Sequence, residues 1–220
     1  MHKIFEEAFE RLLSGQEILD LAKPIIREIR YNSNRYHPTW HALGFIHCKV
    51  ANFDGGQLRL HIWPAGKSHH LEQDLKVHEH VFDVNSCLVR GKLLNINYEF
   101  NEALNADRAH FQRYRVEYLE DGSMLHPSGR FFNIKEKVET ELSTGDFYRV
   151  GRGIFHESKR ELTEQVVTLV ATSAPEERSP LMMGAAFNVQ SKFRPRVLCQ
   201  RNTFNEEIDS VLNYFDGYSG

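Results

Sequence analysis

The stretch Val77-His78-Glu79-His80-Val81-Phe82 and the lone His156, which follows a glycine-rich run, constrain this chain more than any other feature. In an extended strand, residues i and i+2 share a face, so His78 and His80 project side by side while Val77, Glu79 and Val81 face the other way. Two imidazoles on one rigid element need a third ligand from elsewhere to hold an ion. The run Gly145-Asp146-Phe147-Tyr148-Arg149-Val150-Gly151-Arg152-Gly153-Ile154-Phe155-His156 reads as strand, glycine turn and new strand, and it delivers that third imidazole. In a chain with twelve histidines the pair alone is a weak signal. Joined to strand context and glycine turns, it makes a metal site of His78, His80 and His156 the leading expectation.

The surrounding texture is β. Residues 87–91 form a short apolar run ending in Gly91, and residues 94–100 alternate polar and apolar like a returning strand. Residues 40–50 read as one strand, followed by a turn at Asp54-Gly55. In residues 58–63, Leu58, Leu60 and Ile62 share one face and Arg59, His61 and Trp63 the other. Residues 92–144 carry a strand at 111–119, a turn at 120–123, a loop through His126-Pro127-Ser128-Gly129, and short strands near 131–134 and 138–140. Residues 164–172 are the most β-prone run and are expected to be buried. The ends are helical. Phe5, Phe9, Leu12 and Leu13 form a stripe, Ser14-Gly15-Gln16-Glu17 has the form of a capping box opening a second helix that Pro24 kinks or restarts, and Thr203-Phe204-Asn205-Glu206 has the same form before Ile208, Val211, Leu212 and Phe215. The expected organisation is one domain: a helical segment at 1–36 packed on a β barrel at 37–200, and a C-terminal helix at 201–220.

Composition removes several function classes. A net charge of −3 gives no electrostatic case for nucleic acid or an acidic membrane surface. No apolar run is long enough to span a bilayer, and Met1-His2-Lys3-Ile4-Phe5-Glu6-Glu7 lacks the apolar core of a signal peptide. Cys48, Cys87 and Cys199 are odd in number and widely spaced, the pattern of reduced thiols in a cytoplasmic protein. Nucleophile-elbow, P-loop and dinucleotide fingerprints are missing.

The two histidine-bearing stretches resemble the paired motifs of the cupin superfamily, over roughly residues 58–172. His78, His80 and Gly91 match the first motif, and Gly145, Gly153 and His156 the second. The chain departs from the pattern at Glu72 and Gly151, where glycine and proline are usual, at Arg160, and at Val84, which stands where the fourth ligand, a glutamate, would be. The resemblance implies a mainly β fold, a cupin jelly-roll barrel with flanking N- and C-terminal helices, and a homodimer. Cupins that keep three histidines without the glutamate include thiol dioxygenases, the cysteine dioxygenase-like group among them, and diketone-cleaving dioxygenases, all iron enzymes. The implied cofactor is therefore Fe(II), with Zn, Ni or Mn as other divalent metals.

Three neutral imidazoles suit a divalent first-row metal and leave its charge uncompensated, which attracts an anionic substrate. Asp83, three residues past His80, is a rival ligand or an acceptor for an imidazole N–H. Arg59 resembles the arginine that holds the substrate carboxylate in cysteine dioxygenases; His61, Tyr98 and Tyr148 are further substrate-binding candidates. Some cysteine dioxygenases crosslink a cysteine to a tyrosine, but Cys87 lies three residues too far along for that role. The polar loop 64–77, with His69 and His70, is a candidate lid. The expected function is an Fe(II)-dependent dioxygenase acting on a small thiol, diketone or aromatic acid. Metal-dependent isomerase or lyase chemistry and a non-catalytic small-ligand-binding module stay open beside it.

Overall fold

Residue spacing explains the helical layer. Helix α1 (Lys3–Leu13) buries Phe5, Ala8, Phe9 and Leu12, and helix α2 (Leu19–Tyr31) buries Ala22, Ile25, Ile26 and Ile29, the same i, i+3, i+4, i+7 stripe twice. The computed structural model describes residues 3–66, 75–104, 106–186 and 190–217. The Ser14–Glu17 stretch does not open α2 as a capping box. It closes α1: Gly15 takes a left-handed φ of +80°, Gln16 N–H donates to Arg11 O at 2.8 Å and Gly15 N–H to Leu12 O at 3.1 Å, the bond pattern of a glycine helix stop. Helix α2 then starts at Leu19 and is continuous through Pro24.

The strands follow in chain order: β1 (Thr39–Trp40), β2 (Ile46–Phe53), β3 (Gly56–Trp63), β4 (Val77–His78), β5 (Val84–Arg90), β6 (Lys92–Glu102), β7 (Phe111–Tyr118), β8 (Gly122–Ser143), β9 (Phe147–Val150), β10 (Phe155–Lys159), β11 (Val166–Ser173), β12 (Leu181–Ala185), β13 (Lys192–Pro195) and β14 (Val197–Leu198). Helix α3 (Arg201–Gly217) ends the described chain. The protein is mainly β, with two seven-stranded sheets of antiparallel pairs. The first runs β14-β1-β2-β3-β11-β5-β9 and the second β13-β8-β6-β10-β4-β12-β7. No helix among the described residues is long and apolar enough to cross a membrane.

Three sequence expectations are corrected. Residues 40–50 are not one strand, because Gly44 adopts φ +86° and His41 N–H donates to Phe45 O at 2.7 Å, folding the run into the β1–β2 hairpin. The expected loop at 126–129 is inside the 22-residue β8, which pairs with β7 and β13 through its first part and with β6 through its second. Its Pro127 sits opposite Tyr114, next to the register shift in the β7–β8 ladder, where a missing N–H is tolerated. Helix α3 begins at Arg201, so Thr203 lies inside it rather than at its cap.

The main core lies between the helices and the outer face of the first sheet. Phe9, Leu12, Ile25, Ile26 and Ile29 pack with Leu58, Leu60, Ile62, Cys87, Leu169, Phe204 and Ile208. Strand alternation then sends Arg59, His61 and Trp63 to the sheet's inner face, toward the second sheet. Tight β2–β3 and β3–β11 pairing depends on Gly56, which has φ +147° and whose added Cβ would lie 1.7 Å from Thr172 O. Gly56→Ala is expected to cost about 3 kcal/mol through strain and steric overlap. That corresponds to a melting temperature about 6–12 °C lower, measured by circular dichroism; a variant melting within about 2 °C of the native protein would contradict this packing.

Candidate metal centre

The three histidines of the sequence pattern meet. The side-chain ligand atoms of His78, His80 and His156 all lie within 4.8 Å of one another. Ring centroids are 4.4 Å apart for His78 and His156, 4.8 Å for His78 and His80, and 5.0 Å for His80 and His156. Register explains the first contact: β10 pairs antiparallel with β4 so that His156 stands directly opposite His78, and opposed residues share a face. His80 lies beyond the end of β4 and is positioned by backbone contacts from two loops and the start of β12. Gly153 N–H donates to His80 O at 2.9 Å, Glu79 N–H to Leu181 O at 3.0 Å, and Glu176 N–H to Val81 O at 2.8 Å. Gly153 has φ +77° in the turn just before β10, the conformation that the glycine run in the sequence anticipates.

The donor set fits a metal. Burial holds all three imidazoles below their usual pKa, His156 down to about 3, so they are neutral at pH 7 with lone pairs to give. A carbonyl oxygen only accepts, so the contact of His78 Nδ1 with Lys76 O at 2.9 Å places the proton on Nδ1, and the 3.4 Å contact of His156 Nδ1 with Ile154 O does the same. Nε2 of each is thereby left as the lone-pair donor, the orientation that backbone acceptors impose on metal-ligating histidines.

Asp83 stays out of this group. Its carboxylate accepts from Arg152 N–H at 3.1 Å and pairs with the Arg149 and Arg152 guanidiniums at 3.3 Å each. These partners hold its pKa below the usual value against the opposing effect of burial. Tyr98 also turns away. It stands opposite Phe155 in the β6–β10 ladder, on the face opposite His156, and donates to Glu157 among Phe100, Phe132 and Met183. Its hydroxyl is held un-ionised by burial and by that carboxylate.

Arg59, His61 and Tyr148 do face the site. With the three histidines they line a cavity of about 350 Å³ between the sheets. The Arg59 guanidinium hydrogen-bonds Gln57 Oε1 at 2.9 and 3.2 Å and lies 4.7 Å from the centre of the Phe82 ring. No carboxylate among the described residues pairs with it, and desolvation lowers its pKa to about 10, which leaves it cationic at pH 7. Phe82 in turn stacks on His80 at 5.0 Å, so one ring links the cation to the histidine cluster. Burial raises the Tyr148 hydroxyl to about 12, with the Ser86 hydroxyl acting in the other direction. Cys87 faces the helical core rather than the cavity. The candidate lid residues 67–74, His69 and His70 included, lie outside the described residues.

Several site residues escaped the sequence reading. Phe82 follows His80 by two, and His47 on β2 follows Phe45 by two, both lining the cavity; the i, i+2 rule that paired His78 with His80 would have found Phe82 and His47. Arg178, which pairs with the buried Glu79 between the two histidines, lies 99 residues from it and had no local signal. No family model matches this chain, and no curated protein matches it.

Proposed function

We propose that this protein is a cupin jelly roll that holds a divalent first-row metal, Fe(II), at His78, His80 and His156 and acts as a non-haem dioxygenase on a small anionic substrate. The observation carrying this reading is the convergence of three neutral imidazoles, His156 buried and His78 and His80 partly so, with no carboxylate among them, on a cavity that also holds a cation with no acidic partner among the described residues. A site of three protein ligands keeps positions open, as catalytic rather than structural metal sites do. Bound Fe(II) would supply the one-electron chemistry by which oxygen reacts with an organic substrate.

The remaining work belongs to the chain. Arg59 binds and orients an anionic group by paired N–H donors. Tyr148, un-ionised at neutral pH, offers a hydroxyl donor at the cavity wall. Phe45, Trp63 and Phe82 exclude water, which strengthens each of these polar contacts.

The test is elemental analysis of the purified protein beside His80→Ala and His156→Ala, with anaerobic iron reconstitution, followed by oxygen-consumption assays against small thiols, acidic diketones and aromatic acids. Near-stoichiometric iron in the native protein, lost by about 10²-fold or more in affinity in each variant, is expected, because two imidazoles chelate far more weakly than three. Stoichiometric Zn, Ni or Mn with no oxygen uptake would redirect the reading to Lewis-acid isomerase or lyase chemistry. A folded native protein that retains no divalent metal would leave a small-ligand-binding module.

A further inference from the structure

The wall facing the metal centre is built of rings. His41 stacks on Phe45 with centroids 4.3 Å apart and planes 16° apart. Phe45 lies 4.8 Å from His61 and 4.7 Å from Trp63, and His61 lies 5.3 Å from His47. All five line the cavity, and all come from β2, β3 and the turn before β2 on the first sheet, across from the three histidines. Burial holds His41, His47 and His61 in the neutral form, so the wall presents uncharged π surfaces rather than three more cations. Arg59 is the cation of this wall, two residues from His61 on the same strand face. His61 Nε2 is buried without a hydrogen-bond partner among the described residues.

An aliphatic ligand would gain only area from such a surface. A flat conjugated one gains ring-to-ring geometry as well, because offset and edge contacts between π systems add to simple burial. Arg194 and Arg196 also line the cavity, but the cation that rises from the same strand as His61 and Trp63, and so stands beside the ring wall to meet the carboxylate of such a ligand, is Arg59.

We propose that the cavity selects a planar, conjugated monocarboxylate of about the size of an aromatic acid, its carboxylate on Arg59 and its flat face on the wall formed by His41, Phe45, His47, His61 and Trp63. This rests on the metal-centre reading for its chemistry but not for its recognition, since the ring wall and Arg59 belong to the other sheet. It separates the aromatic-acid class from the aliphatic thiols.

The experiment is calorimetric titration of the full chain with benzoate and cyclohexanecarboxylate, two monoanions of similar size of which only one is flat, in both iron-reconstituted anaerobic protein and chelator-treated protein. Benzoate is expected to bind about three- to ten-fold more tightly. His61→Leu and Trp63→Leu should each erase most of that preference while still binding both probes, and Arg59→Gln should weaken both probes by about ten-fold or more without changing their ratio. Equal or tighter binding of cyclohexanecarboxylate, or binding of neither, overturns the proposal. The native protein decides this even where a variant fails to fold. A preference kept by a protein that holds no metal would sink the dioxygenase reading and leave this inference standing. Stoichiometric iron with no preference would do the reverse.

Discussion

Below pH 6.5 the protein is expected to lose stability steeply, over a window set by the histidines of its cavity rather than by its carboxylates. His41, His47, His61, His78, His80 and His156 are all held neutral by burial, His47 and His156 with pKa values near 3. In the unfolded chain each returns to about 6.5. Above that pH both states are neutral and these groups contribute no pH dependence. Below it the unfolded state takes up protons that the folded state refuses, so stability falls by about 1.4 kcal/mol per pH unit for each histidine until the folded pKa is reached. For His47 and His156, whose folded pKa values lie near 3, two units of acidification thus remove about 3 kcal/mol each, together a large part of the net stability of about 5–15 kcal/mol typical of a domain. Urea denaturation of chelator-treated protein at pH 7.5, 6.5, 5.5 and 5.0 checks this. The midpoint should be flat to 6.5 and then collapse, with His47→Phe shallower than native below 6.5. A midpoint unchanged down to pH 5 would mean that these imidazoles are solvated, and the cavity as described would be wrong.

Arg178→Ala is expected to be worse than Glu79→Ala, although the two residues form one ion pair. The Glu79 side chain is only 4% exposed, whereas Arg178 is 35% exposed and also donates to Glu176 at 2.9 Å. Removing Glu79 leaves a cation that keeps a second partner and reaches water, at about 2 kcal/mol. Removing Arg178 strands a carboxylate in the interior, at about 3–5 kcal/mol. The effect reaches the site because Glu79 sits between His78 and His80, and because the pair continues through Glu176 and Arg152 (3.2 Å) to Asp83, joining the loops that hold His80. Both variants should therefore lose metal as well as stability, with Arg178→Lys recovering part of each. Equal destabilisation by the two alanines, or full metal retention in Arg178→Ala, would show that this network does not position the ligands.

These results separate what was legible in the residues from what was not. Alternation in β3 correctly put Leu58, Leu60 and Ile62 on one face and Arg59, His61 and Trp63 on the other, because a pleated strand has a fixed period of two; which face meets the helices came from the tertiary structure. The hairpin at 41–45 was hidden because Gly44 interrupts an apolar run that otherwise reads as one strand. The length of β8 was hidden because Pro127 and Gly129 carry turn chemistry that β7, β13 and β6 override by pairing on either side. Asp83 was close in sequence to the histidine pair yet is captured by Arg149 and Arg152, a competition between partners that spacing does not express.

For the site as a whole, the sequence by itself determined that His78 and His80 lie side by side at the end of one short strand and that a glycine turn presents His156, since both are local backbone properties. Only the tertiary structure decided that the three converge, that Arg59 faces them through Phe82 without a carboxylate partner among the described residues, and that Tyr98 does not face them. The reason is that strand register and sheet order are set by the packing of distant segments. A one-residue change in the pairing of β10 would turn His156 to the opposite face while leaving every local motif in the chain unaltered.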